Sequence, residues 1–367
     1  MRKLGIFSFF ATILFATSCA GPKSYDVELY RTKMDFHEDF KIMQLADLHL
    51  GVQGDVATHL DFIQYQIEQA NPNLIVLTGD QFNLANSNIV NALFERLNRV
   101  CDSLSNKNEH ITKFAMTYGN HDLEGDYHKY YINSVIKKFV TVDGKEKEHK
   151  KYAAFIDFDD DNIFGLTNYH IDLVDPLNKE DVKYRISILD SNANHFTGIK
   201  YGYDVIHEEQ LDHAVNIYNH YDDKNYVGLA FFHIPFEEFK TAREQFENAE
   251  DPSVYGRAEF GEGVSVPAYD NKSYSKLRSA NIHGYFIGHD HVNYSDIIYN
   301  ATSSNIDDKA LFSYGVKSTS MIYHEKEMIG YKLINLKDVS AETFLTTDYI
   351  NQNIINVTDN GGWYNGK

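Results

Sequence analysis

Along most of the chain, apolar and polar positions follow one of two periods, that of a strand or that of a helix. Short apolar-rich runs predict strands, and longer segments between them carry apolar residues at helical spacing. Residues 41–45, 74–77 and 114–118 are the predicted strands, and residues 56–70 and 89–104 are the predicted helices. This order of strand, helix, strand, helix and strand predicts an α/β fold with a partly parallel sheet.

The second half of the chain continues the pattern. Strands are predicted at 184–189, 227–232, 282–287 and 329–334, with a helix at 208–218. Because no linker rich in proline or glycine divides this region, we predict one domain over residues 36–338. Residues 339–367 have weak periodicity; they could cover a sheet edge or extend freely, and the sequence leaves both open.

The N-terminus has the features of a targeting segment. Arg2 and Lys3 precede an apolar run, residues 4–16, which is too short to span a bilayer comfortably. The run ends in Ala-Thr-Ser-Cys at 16–19 and resembles the lipobox of bacterial lipoproteins, although residue 16 is not the usual leucine. We therefore expect a signal peptide at 1–18, a lipid on Cys19, a polar tether at 19–35 and an extracytoplasmic, membrane-anchored protein. The alternative is an ordinary secretory peptide with a chance cysteine.

The composition argues against several classes of protein. The chain has 367 residues and a formal charge of −19, which disfavours binding to duplex nucleic acid because such binding depends on basic side chains. Its 26 tyrosines and 24 phenylalanines argue against intrinsic disorder. With only two cysteines, a disulfide scaffold is excluded.

A charge-dense stretch runs over residues 144–161. Four aspartates lie within 157–161, but the ligand spacing of an EF-hand is absent. We predict a solvated hairpin or a surface insertion there.

Five short motifs put possible metal ligands directly after predicted strands. Each has a simpler interpretation when it is taken alone, as a polar turn or a half-buried histidine. The carboxyl ends of strands are nevertheless where open α/β sheets bind ligands, and in extended backbone residues i and i+2 point to the same side. The motifs are Asp47-x-His49, Gly79-Asp80, Gly119-Asn120-His121-Asp122, His233 after two phenylalanines, and Gly288-His289-Asp290-His291. Together they supply the oxygens and imidazoles that a two-metal hydrolytic site needs.

These motifs, in this order, resemble the calcineurin-like metallophosphoesterase superfamily over about residues 41–335. The segments 189–191, 202–204, 231–235 and 288–293, with Gln210, further resemble the branch related to purple acid phosphatases. The resemblance implies a four-layer α/β/β/α sandwich with a dinuclear metal site at the carboxyl ends of the strands.

The resemblance also implies a ligand set. One metal would be held by Asp47, His49, Asp80 and His291. The other would be held by Asp80, Asn120, His233 and His289, so that Asp80 bridges the two. The ions would be Mn, Fe or Zn, since this donor set suits all three. Purple acid phosphatases have a tyrosine ligand where this chain has Asn83, so no tyrosinate colour is expected.

The implied function is hydrolysis of a small phosphorylated substrate, with a monoester favoured. A hydroxide bridging the metals would attack in line, His121 would act as general acid, and Asp122 would orient it. The alternatives are a phosphodiesterase or nucleotidase of the same superfamily, or a catalytically silent surface-binding lipoprotein. Further residues that could line the pocket, each also open to a structural interpretation, are Asn83, His195, Tyr203 and Lys317.

Overall fold

The computed structural model describes most of the chain. The described residues are 27–51, 55–84, 86–108, 110–124, 129–139, 152–154, 163–198, 200–221, 225–337, 344–345, 350–357 and 363–364. The predicted signal peptide, Cys19 and most of the stretch at 144–161 lie outside them, so the expectations about those segments stay predictions.

Helices and strands alternate as the apolar pattern predicts. The helices are α1 (Val56–Ala70), α2 (Ser87–Lys107), α3 (Lys129–Ile136), α4 (Glu208–His220), α5 (Glu237–Glu247) and α6 (Ser273–Ser279). The first nine strands are β1 (Arg31–Asp35), β2 (Lys41–Leu45), β3 (Leu74–Thr78), β4 (Lys113–Thr117), β5 (Tyr169–Val174), β6 (Val182–Ile188), β7 (Asn194–Phe196), β8 (Tyr201–Tyr203) and β9 (Val227–Phe231). The others are β10 (Gly256–Phe260), β11 (Ile282–Ile287), β12 (Asn293–Tyr299), β13 (Ala310–Tyr314), β14 (Gly330–Asn335), β15 (Ile350–Ile354), β16 (Asn356–Val357) and β17 (Trp363–Tyr364).

Two large sheets form the centre of the domain. One has eight strands in the order β1-β5-β6-β9-β11-β13-β12-β10, and the other has five in the order β15-β14-β2-β3-β4. Helices α1 and α2 contact the five-stranded sheet, whereas α5 and α6 contact the eight-stranded sheet and α4 packs beside α6. The predicted four-layer α/β/β/α architecture is therefore confirmed.

Apolar side chains fill the spaces between these layers. The buried face of α1 carries Leu60, Ile63, Ile67 and Ala70, which join a core cluster with the strands of both sheets. A second cluster lies under α4, α5 and α6 and includes a run of stacked aromatic rings around Phe312. Burial of such surface contributes about 25 cal/mol per Å².

Strand direction brings the motifs to one edge. Strands β2, β3 and β4 run parallel to one another, and so do β6, β9 and β11 in the other sheet. Two hydrogen bonds tie the sheets together beneath this edge: Gln44 Nε2 donates to Ile287 O at 2.9 Å, and Thr117 Oγ1 donates to Leu189 O at 2.6 Å. Buried polar groups with partners of this kind fix the relative position of two layers.

The predicted tether at 19–35 is corrected at its end. Strand β1 lies within it and pairs in parallel with β5, and Arg31 Nε donates to the buried carboxylate of Asp172 at 2.8 Å. Strand β1 was not predicted because its residues are mostly polar. A buried ion pair stabilises it in place of apolar contacts. At the other end of the chain, β15 pairs antiparallel with β14, so the described part of the C-terminal extension covers a sheet edge.

No helix among the described residues is both long enough and apolar enough to cross a membrane.

Candidate metal centre

Seven side chains from five loops converge at the shared edge of the two sheets. All of them are buried, and none is more than 8% exposed. They follow β2, β3, β4, β9 and β11, so three loops come from one sheet and two from the other. They are the predicted ligands Asp47, His49, Asp80, Asn120, His233, His289 and His291.

The backbone at four of these residues is left-handed. Asp47, His49, Asp80 and His289 have φ values of 55°, 48°, 53° and 86°. The sequence argument that Asp47 and His49 converge because the strand continues in extended form is therefore wrong. Strand β2 ends at Leu45, and the sharp turns that follow aim the two side chains inward. Unfavourable φ values at non-glycine residues concentrate at functional sites.

Two glycines of the motifs allow the ligands to approach closely. A Cβ on Gly119 would meet Asp80 Oδ1, and a Cβ on Gly288 would lie 2.8 Å from Asp47 Oδ2. Any side chain at either position would push a carboxylate out of place. The glycines in Gly-Asn-His-Asp and Gly-His-Asp-His are thus required by the packing of the centre.

The first group of ligands consists of Asp47, His49, Asp80 and His291. Each contributes one ligand atom, and these atoms all lie within 4.8 Å of one another. The Nε2 atoms of His49 and His291 face each other at 2.9 Å. His291 Nε2 is 3.7 Å from Asp47 Oδ1, and His49 Nε2 is 3.6 Å from Asp80 Oδ2.

The second group consists of Asp80, His233 and His289, with Asn120 beside them. Ligand atoms of the first three also lie within 4.8 Å of one another. His233 Nε2 is 3.2 Å from Asp80 Oδ2, 3.2 Å from His289 Nδ1 and 3.2 Å from Asn120 Oδ1. Asp80 Oδ2 therefore lies between the two groups, where a bridging carboxylate would have to be.

Hydrogen bonds outside the cluster hold the rings in place. His233 Nδ1 is 2.8 Å from Thr78 O and His291 Nδ1 is 3.3 Å from Tyr323 O, so in each ring Nδ1 carries the proton when the imidazole is neutral. The Nε2 lone pairs are then directed into the cluster. Such outer hydrogen bonds are the usual way in which proteins fix the tautomer of a metal-binding histidine.

Burial sets the protonation of three of the imidazoles. It lowers the pKa of His49 to about 2 and that of His289 to about 3, and it lowers the pKa of His291 as well. His233 differs: burial opposes its charge, but Asp80 beside it outweighs burial and raises the pKa to about 9. For Asp80, burial alone would raise the pKa, and the attraction of His233 brings it below the usual value.

These groups fit metal ions. Two pairs of imidazole nitrogens face each other at 2.9 and 3.2 Å, too close for both atoms of a pair to carry protons. A cation between each pair would accept the lone pairs and would replace the positive charge that His233 supplies. Neutral imidazoles and ionised carboxylates are the forms in which these side chains bind metals. The donor set suits Mn, Fe or Zn.

His121 lies beside the cluster and is not part of either group. Its backbone N–H donates to Asp80 Oδ1 at 2.8 Å, and its ring lies 5.2 Å from that of His49. Glu124 Oε1 is 2.9 Å from His121 Nδ1, and Asn83 Nδ2 is 3.3 Å away. With Nδ1 occupied by Glu124, Nε2 is left as the ring atom that can act on a substrate.

The predicted pairing of Asp122 with His121 is corrected by this geometry. The buried Asp122 carboxylate accepts hydrogen bonds from the backbone of Phe82 and of Gly119, both at 2.9 Å. It thereby joins the two loops that carry Asp80 and Asn120. Sequence reasoning missed Glu124, although a residue three positions after His121 is placed to meet its side chain in a helical turn.

The other residues considered for the pocket have distinct surroundings. Lys317 is buried, and its Nζ donates to Asp47 O at 2.6 Å, so it supports a loop of the centre from within. Tyr203 packs edge-on against His289, with ring centroids 4.3 Å apart. His195 is partly exposed and lies 3.8 Å from the carboxylate of Asp204.

Ser191 is a further residue that the sequence analysis left without a role. Its Oγ accepts hydrogen bonds from the backbone N–H groups of His233 and Ile234, at 3.2 and 2.9 Å. It therefore holds the loop that presents His233. The Leu-Asp-Ser motif at 189–191 was the available signal.

With this geometry established, comparison with known proteins identifies the family. Residues 40–293 match the family described as calcineurin-like phosphoesterase. The chain belongs to this family, whose members are hydrolases acting on phosphoric ester bonds. The dinuclear site that characterises the superfamily corresponds to the cluster of histidines and aspartates described above.

Two curated relatives are similar to most of this chain. The chain is 28% identical to Phosphatase DCR2 from Saccharomyces cerevisiae over 294 residues, which are 74% of this chain and 47% of that protein. It thus spans about half the length of this relative. It is 23% identical to Probable inactive purple acid phosphatase 29 from Arabidopsis thaliana, over 80% of this chain and 78% of that protein.

A solved structure of a dimetal phosphatase from Danio rerio is also similar. It covers 82% of this chain and 93% of its own, with 13% identity and a TM-score of 0.44.

Proposed function

We propose that this protein is a metal-dependent phosphomonoesterase with a two-metal centre. One observation carries the proposal: the two groups of buried ligands share Asp80, and an unliganded, partly exposed histidine, His121, stands beside them. A protein that used metals only for stability would have no use for a histidine in that position.

The residues of the centre have different roles, which follow from their charge and position. Two bound cations would supply an activated water and would neutralise the charge of the phosphoryl oxygens. Asp80, which both groups share, would be a ligand to both cations. His121 Nε2 donates a proton or a hydrogen bond to the leaving oxygen, and Glu124 holds the ring so that Nδ1 keeps its hydrogen.

A phosphodiesterase or nucleotidase uses the same metal centre and is the second candidate. The monoester is favoured because the motifs at 189–191, 202–204 and 231–235 resemble the purple acid phosphatase branch, and the relative from Arabidopsis thaliana carries the name of that branch. That relative is named as probably inactive, which keeps a catalytically silent binding protein as the third candidate. The pairing of His121 with Glu124 favours an active enzyme over it.

The place of action is also part of the proposal. The lipobox-like segment at 16–19 supports a lipid on Cys19 and a position outside the cytoplasm, at the cell membrane. The formal charge of −19 supports a small phosphorylated substrate in preference to duplex nucleic acid.

The test compares p-nitrophenyl phosphate with bis-p-nitrophenyl phosphate, using protein that has been stripped of metal and reloaded with Mn, Fe or Zn. We expect turnover of the monoester, and His121→Ala should reduce it by about 10²–10⁴-fold with metal content unchanged. Turnover of the diester alone would favour the phosphodiesterase. Full metal content with neither activity, at a range of pH values, would favour the binding protein.

A further inference from the structure

Strands β7 and β8 form a two-stranded hairpin beside the metal centre. The register pairs Asn194 with Tyr203, His195 with Gly202 and Phe196 with Tyr201. In an antiparallel pair, residues directly opposite each other share a face, and the faces alternate along each strand. Phe196, Tyr201 and Tyr203 therefore lie on one face of the hairpin, which we call the aromatic face.

The opposite face of the hairpin is packed. A Cβ on Gly202 would lie 3.0 Å from Ala268 Cβ, and the rings of His195 and Tyr269 are 5.5 Å apart. The hairpin is thus fixed from behind by the loop around residue 268. The aromatic face is directed away from that loop.

The aromatic face begins at the metal centre and continues into solvent. Tyr203 contacts the ring of His289, one of the proposed ligands, with ring centroids 4.3 Å apart. Tyr201 is 67% exposed and Phe196 is 62% exposed. Large apolar side chains that are exposed together mark a binding surface more often than scattered ones do.

The charges around the centre limit what can bind there. Glu124 lies beside His121, and Glu262 lies 3.4 Å from the hydroxyl of Tyr323, whose ring stacks on His291. The buried Lys317 is directed at Asp47 O and is not available to a ligand. Negative charge at the rim disfavours a second phosphate and favours an uncharged group.

From this arrangement we infer that the aromatic face binds the organic part of the substrate, and that this part is an uncharged aromatic ring. The inference rests on the proposed function, because it assumes that the phosphoryl group lies at the metal centre. Stacking on Tyr201 and Phe196 would then distinguish aryl phosphates from alkyl phosphates. Offset or edge-on contacts between aromatic rings are the physical basis of this preference.

Binding and turnover are measured separately on the full, metal-loaded chain. By calorimetry, phenylphosphonate should bind about tenfold more tightly than methylphosphonate. Tyr201→Ala should reduce this ratio to about threefold or less, and Tyr201→Phe should retain it because the ring remains. Leu177→Ala is the matched control: Leu177 is 98% exposed in the turn between β5 and β6, at the opposite end of the sheet, and its loss should leave the ratio unchanged.

The outcomes separate this inference from the proposed function. Equal affinity for the two phosphonates, or a ratio that Tyr201→Ala leaves intact, would overturn the aromatic site even if phosphomonoesters are hydrolysed. Discrimination in binding without hydrolysis of phenyl phosphate would support the aromatic site and refute the proposed function. Self-association that Tyr201→Ala abolishes, without discrimination between the ligands, would assign the aromatic face to a second copy of the chain and overturn the inference.

Discussion

Replacing Gly119 by alanine should weaken metal binding while leaving the fold in place. A Cβ at this position would overlap Asp80 Oδ1 and lie 2.7 Å from Asp80 Cγ. The carboxylate cannot move aside freely, because Oδ1 accepts from His121 N at 2.8 Å and Oδ2 faces His233 Nε2 at 3.2 Å. The added methyl group must therefore displace the one carboxylate that both ligand groups share.

The expected magnitude follows from this displacement. Disturbing a residue that only supports a ligand typically costs 10–100-fold in metal affinity. Since Asp80 would be a shared ligand, we expect a loss of about 100-fold, or about 2.7 kcal/mol. Overpacking should lower the free energy of unfolding of the metal-free protein by about 1–3 kcal/mol.

The assay is competition between the protein and a chelator for Mn or Zn, with circular dichroism and thermal unfolding measured on the same samples. Gly263→Ala is the matched control, because nothing lies within 4 Å of a Cβ added there. Wild-type metal affinity and stoichiometry in Gly119→Ala would refute the close approach of Gly119 to a ligand carboxylate.

Three further predictions concern Glu124, Ser191 and His283. Glu124→Gln should lower monoesterase kcat by about tenfold in the wild type but not in His121→Ala, because Glu124 acts through His121. A double-mutant cycle measures this, and equal effects in both backgrounds would contradict it. Ser191→Ala should cost about 1–3 kcal/mol of unfolding free energy in urea titration, because the His233 N–H and its neighbour lose their acceptor. Burial and then Arg278 lower the pKa of His283 to about 3, so the unfolded chain takes up a proton below about pH 6.5 and the folded chain does not. Stability should therefore fall by about 2 kcal/mol between pH 6.5 and 5, and His283→Gln should remove this part of the decrease.

The elements that the sequence alone predicted are those whose buried residues are apolar and follow a regular spacing. Strand β2, helix α1 and strand β11 have the predicted bounds, because the apolar residues that each buries are continuous along a strand or fall on one helical face. Helix α5 was not predicted, although Phe239, Ala242 and Phe246 are spaced as on one helical face. The glutamates around them hid this spacing.

Other strands could not be predicted because polar contacts stabilise them. Strand β12 carries the buried Asp296, whose partner is Lys332 on β14 in the other sheet, with Nζ and Oδ1 2.5 Å apart. Strand β1 depends in the same way on the pair of Arg31 and Asp172. A sequence pattern records that these residues are polar, but it does not record that their partners lie far away along the chain.

The candidate site was predicted better than the fold around it. Loops at the carboxyl ends of five strands bring together all seven predicted ligands, and the order of motifs was sufficient to expect this. The contact between His121 and Glu124 was missed, although their spacing of three residues was a signal for it. The left-handed turns at Asp47 and His49 were not predictable, because they depend on the path of the chain after the strands end.

The most direct test of the two-metal centre is a crystal structure of the Mn-loaded protein with anomalous scattering measured at the metal edge. We expect two peaks about 3.5–4 Å apart, one beside Asp47, His49 and His291 and the other beside Asn120, His233 and His289, with Asp80 between them. A single peak, or peaks away from Asp80, would contradict a two-metal centre.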